Sequence, residues 1–115
     1  VPAPIEAKIV ENINVEQVCV TGGDLPQPVA LMVLSAEASQ LSRDELSASL
    51  SQTLERVNST LESHMRMDNF IVLKDEWTID NALLTPTLKV KRHVLEERFS
   101  DVIQAKYSNK VAFID

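Results

Sequence analysis

Val29-Ala30-Leu31-Met32-Val33-Leu34 is an uninterrupted apolar run. It is far shorter than the roughly 20 residues of a membrane-spanning helix. Its length and β-branched content fit a strand rather than a helix, and a strand apolar on both sides must be covered on both faces. The remainder of the chain therefore has to supply layers above and below a sheet. Val15 to Val20 alternates, with Val18 and Val20 on one side and Gln17 and Cys19 on the other, and reads as a second strand. Gly22-Gly23-Asp24 is a turn signal and Pro26 and Pro28 delay the next element, so the two strands are expected to pair as a hairpin with a long loop.

The helical layers are legible from their caps and stripes. Pro4 suits a first helical turn, and Ile5, Ile9 and Ile13 with Val10 make one apolar stripe, which predicts a short helix from about Pro4 to Asn12 behind an extended Val1–Pro4 opening. Ser42-Arg43-Asp44-Glu45 is a capping box, in which Ser42 caps the Glu45 amide and Glu45 reaches back. Leu46, Leu50, Leu54, Val57 and Leu61 continue its stripe, giving a helix from about Arg43 to Glu62 with one wet face. Phe70 to Leu73 is a short buried strand, and Trp77 and Ile79 form a further extended piece. Val94, Leu95, Phe99, Val102 and Ile103 predict a last helix over Lys91–Lys106, followed by a tail whose apolar cluster, Val111-Ala112-Phe113, has no assigned place. The expected fold is α+β: a small open sheet of about three strands covered by three helices, in a single domain spanning residues 1–115.

Composition excludes several classes of function. The chain has 115 residues, 44% hydrophobic and 24% charged, with a formal net charge of -6, values of an ordinary globular domain that disfavour a general nucleic-acid or anionic-membrane surface. Cys19 is the one cysteine, so no internal disulfide is possible and a reducing compartment is compatible. His64 and His93 have no metal-ligand spacing and read as surface or structural residues; no metal site is expected. Gly22-Gly23 lacks the Lys-Ser/Thr and helix start of a phosphate loop. Cys19 reads as a small core hydrophobe and Trp77 as a core or domain-contact residue. The chain opens on Val rather than Met without a signal-peptide pattern, which is expected of a fragment or processed piece.

One stretch carries chemistry. Leu84-Thr85-Pro86-Thr87-Leu88-Lys89-Val90-Lys91-Arg92 places a lysine on a Pro-constrained, Thr-flanked loop just ahead of the last helix. A cation there opposes the helix macrodipole, and positions that break a local rule are enriched at functional sites. On spacing alone, a solvated surface lysine remains the ordinary alternative. Thr87 could cap the last helix, Arg92 could hold the loop or meet another domain, and Thr85 could serve local structure.

The same stretch resembles the closing motif of adenylate-forming enzymes in the form used by long-chain fatty acid–CoA ligases, Leu-Thr-Pro-Thr-Leu-Lys-x-Lys-Arg, without a gap. Val1 to Glu6 is similar to the family's Pro-x-x-Ile-Glu text after the interdomain hinge, and Val15 to Val20 to its strand of the form Val-x-Gln-x-x-Val-x-Gly. Gln27 to Leu31 resembles the next strand, and Arg98-Phe99 with Ile103 to Tyr107 the last helix. The resemblance implies the C-terminal lid domain of such an enzyme, with Lys89 as its catalytic lysine and Thr85, Thr87 and Arg92 supporting the loop. It also implies that ATP, Mg, CoA and a fatty acid are used by the intact enzyme. The ATP and acyl sites then belong to an N-terminal domain not among these residues, so the chain is expected to be inactive alone, with that domain as its partner. A cytoplasmic location follows, a peripheral membrane position being the alternative, with no transmembrane segment. The competing reading is a stand-alone α+β binding or regulatory module that docks an acidic partner through the Lys89 loop.

Overall fold

The computed structural model describes residues 2–22 and 24–115. Val1 of the expected extended opening and Gly23 of the expected turn lie outside the described residues. The elements are α1 (Ala3–Ile9), β1 (Val15–Thr21), β2 (Val29–Leu34), α2 (Arg43–Asn58), β3 (Phe70–Leu73), α3 (Arg92–Arg98), α4 (Ser100–Gln104) and β4 (Val111–Phe113), with short 3-10 turns at Ala36–Gln40 and Ser63–Met65. The strands form one open sheet in the order β1-β2-β3-β4. β1 and β2 pair antiparallel, from Val15 against Leu34 to Thr21 against Val29, as the hairpin reading expects. β2–β3 and β3–β4 pair parallel, so α2 bridges one crossover and α3 with α4 the other.

Both faces of β2 are covered. Its alternate residues Ala30 and Met32 pack with Ile5 and Ile9 of α1 and with Leu50, Leu54 and Val57 of α2. Val29, Leu31 and Val33 pack on the opposite face with Trp77, Leu83, Leu84, Leu95 and Ile103. A two-residue side-chain period between two apolar layers accounts for the continuous apolar run. The Ser42–Glu45 capping box forms as read: Glu45 N–H donates to Ser42 Oγ at 3.1 Å and Ser42 N–H to Glu45 Oε1 at 2.8 Å.

Two boundaries differ from the sequence expectation: α1 begins at Ala3, within the expected extended opening, and α2 ends at Asn58 rather than near Glu62. Four larger differences have physical causes. The sheet gains a fourth strand because the Val111–Phe113 cluster pairs with β3, Phe70 facing Val111 and Val72 facing Phe113. The last helix is two, since Phe99 at φ -110° and ψ 25° interrupts the helical run between α3 and α4. α1 stops at Ile9, and Ile13 leaves the stripe to stand 72% exposed, because the Asn12 side chain turns the chain by donating to Ser49 Oγ and Thr53 Oγ1 of α2, each at 2.9 Å. Trp77 and Ile79 make no strand: Thr78 and Asn81 exchange side-chain and backbone hydrogen bonds at 2.9 and 3.0 Å, closing a turn that buries Trp77 and exposes Ile79. At the β1–β2 loop, Gly22 has φ +112°, and a Cβ there would lie 3.2 Å from the Pro28 Cα, which explains the glycine.

Candidate functional site: the Lys89 hairpin and its anchor

Residues 84–90 form a small hairpin. Leu84 and Val90 make an antiparallel bridge, and the Thr85 N–H donates to the Lys89 carbonyl at 2.8 Å. Inside that frame Leu88 N–H donates to the Thr85 carbonyl at 2.8 Å, closing a turn with Pro86 at its second position, where a fixed φ is favourable. Leu88 follows with φ +66°, the left-handed residue of a three-residue hairpin loop, a place usually given to glycine. Holding a leucine there costs about 1–2 kcal/mol. Lys91 N–H donates to the Leu83 carbonyl at 2.8 Å and locks the base of the hairpin to the buried Leu83.

The threonines belong to the hairpin itself. Thr85 Oγ1 accepts the Lys89 N–H at 3.0 Å and lies 3.1 Å from Thr87 Oγ1. Thr87 therefore does not cap the last helix: the residue at that position is Lys91, which has no side-chain cap. Lys89 is exposed at the tip, and among the described residues its ammonium takes part in no hydrogen bond or ion pair.

Arg92 does hold the loop. Its guanidinium donates to the Val20 carbonyl, to Cys19 Sγ at 3.0 Å and to Glu6 Oε2 at 3.2 Å, tying the start of α3 to β1 and α1. Glu6 Oε2 also accepts the Val20 N–H at 2.8 Å. One turn along α3, Glu96 accepts from the Thr21 hydroxyl. Burial pushes the Cys19 thiol up to about 11, against the opposing pull of the Arg92 charge, so it is a protonated core residue rather than a nucleophile. Glu6 and Glu96 were not singled out by sequence. Glu6 belongs to the Pro-x-x-Ile-Glu text, but its partner lies 86 residues away.

The surface beside the hairpin combines exposed apolar side chains with acidic ones, Glu16, Glu76 and Asp80 among them. Leu88 is 66% exposed, and it walls two shallow depressions. One runs to Val10, Val18 and Val90; the other to Trp77 and Ile79. Val10 and Ile79 are 42% and 48% exposed, so three of the four exposed large hydrophobics among the described residues line the two depressions that Leu88 walls. Among the described residues no group of three or more His, Cys, Asp or Glu could hold a metal ion. No helix among them is long and apolar enough to cross a membrane.

Comparison with known proteins places this architecture. The AMP-binding enzyme C-terminal domain model matches residues 1–111. A chloroplastic long-chain-fatty-acid–[acyl-carrier-protein] ligase of Arabidopsis thaliana is 28% identical over 112 residues, 93% of this chain and 15% of that protein. A long-chain-fatty-acid–CoA ligase of Mycobacterium tuberculosis is 27% identical over 126 aligned residues, 95% of this chain and 21% of that protein. A second such CoA ligase, from Schizosaccharomyces pombe, is 51% identical over 41 residues, 35% of this chain and 6% of that protein. The adenylation domain of a Mycobacterium chelonae carboxylate reductase superposes with a TM-score of 0.75 at 25% identity, over 87% of this chain and 16% of that one. The adenylation–carrier didomain of the Segniliparus rugosus carboxylic acid reductase, in complex with AMP, has the same fold at a TM-score of 0.74 and 21% identity, over 89% of this chain and 15% of that one. The chain thus spans about a fifth or less of the length of these relatives. It belongs to the AMP-binding enzyme C-terminal domain family.

Proposed function

We propose that this domain serves a long-chain fatty acid–CoA ligase by carrying Lys89 to the adenylation site of an N-terminal domain. In that step a fatty-acid carboxylate oxygen attacks the α-phosphorus of ATP, pyrophosphate leaves, and an acyl-adenylate forms. The Lys89 ammonium meets the carboxylate and phosphate oxygens as negative charge builds. A preorganised donor of this kind in a water-poor site contributes about 3–4 kcal/mol. Lysine suits the task as a compact, mobile point charge. After adenylation the domain rotates away and CoA thiol displaces AMP to give the thioester; lids that turn between half-reactions are a known way to use one cleft twice.

The observation that carries this reading is an exposed ammonium with no partner among the described residues, on a hairpin tied down at its base, whose exposed Leu88 shares depressions with Val10 and Ile79. A lysine already paired within its own domain would first have to break that pair. Those exposed apolar side chains offer a surface for the N-terminal domain to cover, and the acidic Glu16, Glu76 and Asp80 beside them disfavour an acidic partner. Mg would enter with ATP, bound by its phosphates. CoA is taken as acceptor from the two CoA ligases among the relatives; the carrier-protein ligase makes a carrier thiol the alternative acceptor.

The test mixes this chain with an N-terminal adenylation domain of a long-chain ligase and follows pyrophosphate release with palmitate and ATP. Stimulation by the native chain and its loss with Lys89→Ala are expected. Equal stimulation by both chains would remove Lys89 from the reaction.

A further inference from the structure

We propose that Arg92 and Glu6 form a positioning pair that substitutes for a neighbouring strand at the edge of the sheet and thereby fixes the angle of the Lys89 hairpin relative to α1. β1 is an edge strand, and an edge leaves outward N–H and C=O groups without a ladder partner. At Val20 both groups are taken: the N–H by Glu6 Oε2 at 2.8 Å and the carbonyl by the Arg92 guanidinium. A flanking strand would offer the same two things, one acceptor and one donor. Here they come from two side chains that are themselves paired at 3.2 Å. The pair is sheltered, with side-chain exposures of 35% for Arg92 and 19% for Glu6, so water competes weakly for it.

The geometry makes this contact a lever. Glu96 holds the Thr21 hydroxyl one turn after Arg92, so α3 grips three consecutive β1 residues, Cys19, Val20 and Thr21. Immediately before Arg92, Lys91 is bonded to Leu83 and Lys89 to Thr85, so orientation at Arg92 passes to the hairpin tip. Ala7 of α1, Val10 at its C-terminal end, and Leu88 and Val90 of the hairpin line one depression. Among the described residues, Glu6–Arg92 is the one polar tie that joins α1 to the segment from the hairpin through α3.

The orientation can be read without any reaction. Backbone residual dipolar couplings of the native chain should fit α1, β1 and Thr87–Lys89 in one common frame. Arg92→Gln should leave α1 and β1 in that frame and remove Thr87–Lys89 from it, while Arg92→Lys should largely keep it. Couplings of Thr87–Lys89 that stay in the α1 frame in Arg92→Gln would overturn the pair. Should Arg92→Gln not fold, Glu6→Gln carries the same comparison. A rate consequence follows and rests on Lys89 acting in adenylation. With the adenylation domain present, Arg92→Gln should lower turnover about 10- to 100-fold with little change in KM for ATP or fatty acid, because a displacement near 1 Å has effects of that size. Native turnover in folded Arg92→Gln beside a collapsed Lys89→Ala would also overturn the positioning role. Native turnover in Lys89→Ala would instead refute the catalytic reading, and the couplings would still decide the pair.

Discussion

At the tip of the 84–90 hairpin the Lys89 ammonium stands in solvent with no partner among the described residues, whereas Arg92, a little further along, is bonded to three groups on two other elements. Of the three cations in this short motif, Lys89 is left without a partner among the described residues while Arg92 is bound into the fold. The tip keeps its charge available because its backbone is satisfied locally, through Thr85 and the Leu84–Val90 bridge. The base gives up its charge to the fold. The contrast is between a charge left to solvent on a locally satisfied backbone and a charge spent on holding elements together.

The contrast can be broken from either side. Lys89→Ala should have the largest effect and on activity alone: pyrophosphate release should fall about 100-fold or more, the scale of losing one preorganised donor. Its denaturation midpoint should stay within about 0.5 kcal/mol of native, as for surface substitutions generally. Arg92→Gln should reverse the pattern in stability. It leaves Glu6 and the Val20 carbonyl short of a donor, at a cost of about 2 kcal/mol in urea unfolding, below the value for a wholly buried pair because both side chains keep some solvent. If Lys89→Ala destabilises as much as Arg92→Gln, tip and base are one structural unit and the division fails.

A subtler test uses the thiol beneath Arg92. Cys19 is raised in the folded chain from its ordinary 9.0 to about 11, so the folded state holds the proton more tightly than the unfolded state. Its contribution is complete below pH 9 and is lost as pH rises toward about 11. By pH 10 that loss should reach about 1 kcal/mol, and it should be missing from the slope of Cys19→Ala measured in parallel. Leu88→Gly should have the smallest effect on stability. Relief of the left-handed strain is largely offset by the greater freedom of unfolded glycine, leaving a net change of about 0.5 kcal/mol. The same change should weaken stimulation of an adenylation domain if the Leu88 side chain contributes to docking.

Much of this was legible in the chain, for reasons specific to particular residues. The strand at Val29–Leu34 announced itself because a doubly covered strand needs apolar residues on both sides, and the capping box at Ser42–Glu45 because its chemistry is local. β4 was not legible: Val111–Phe113 is too short to show a period, and its pairing with β3 is settled by tertiary contact. The break at Phe99 escaped because Val94, Leu95, Val102 and Ile103 hold to a helical period on either side of it. Within the site, Lys89 could be singled out from its motif, but the left-handed Leu88 could not, since nothing in a leucine signals positive φ. The roles of Glu6 and Glu96 were equally hidden, because their partners lie 86 and 75 residues away.

The parallel pairing of β3 with β4 bears on how the chain is made. Phe70–Leu73 leaves the ribosome long before Val111–Phe113, with the hairpin, α3 and α4 synthesised between them. Throughout that interval the far edge of a strand buried at every position has no neighbour. An apolar, unpaired edge is the kind of surface on which nascent chains aggregate. Release of a chain lacking residues 111–113 should therefore show first as lower soluble yield, before any change in the sheet's other strands.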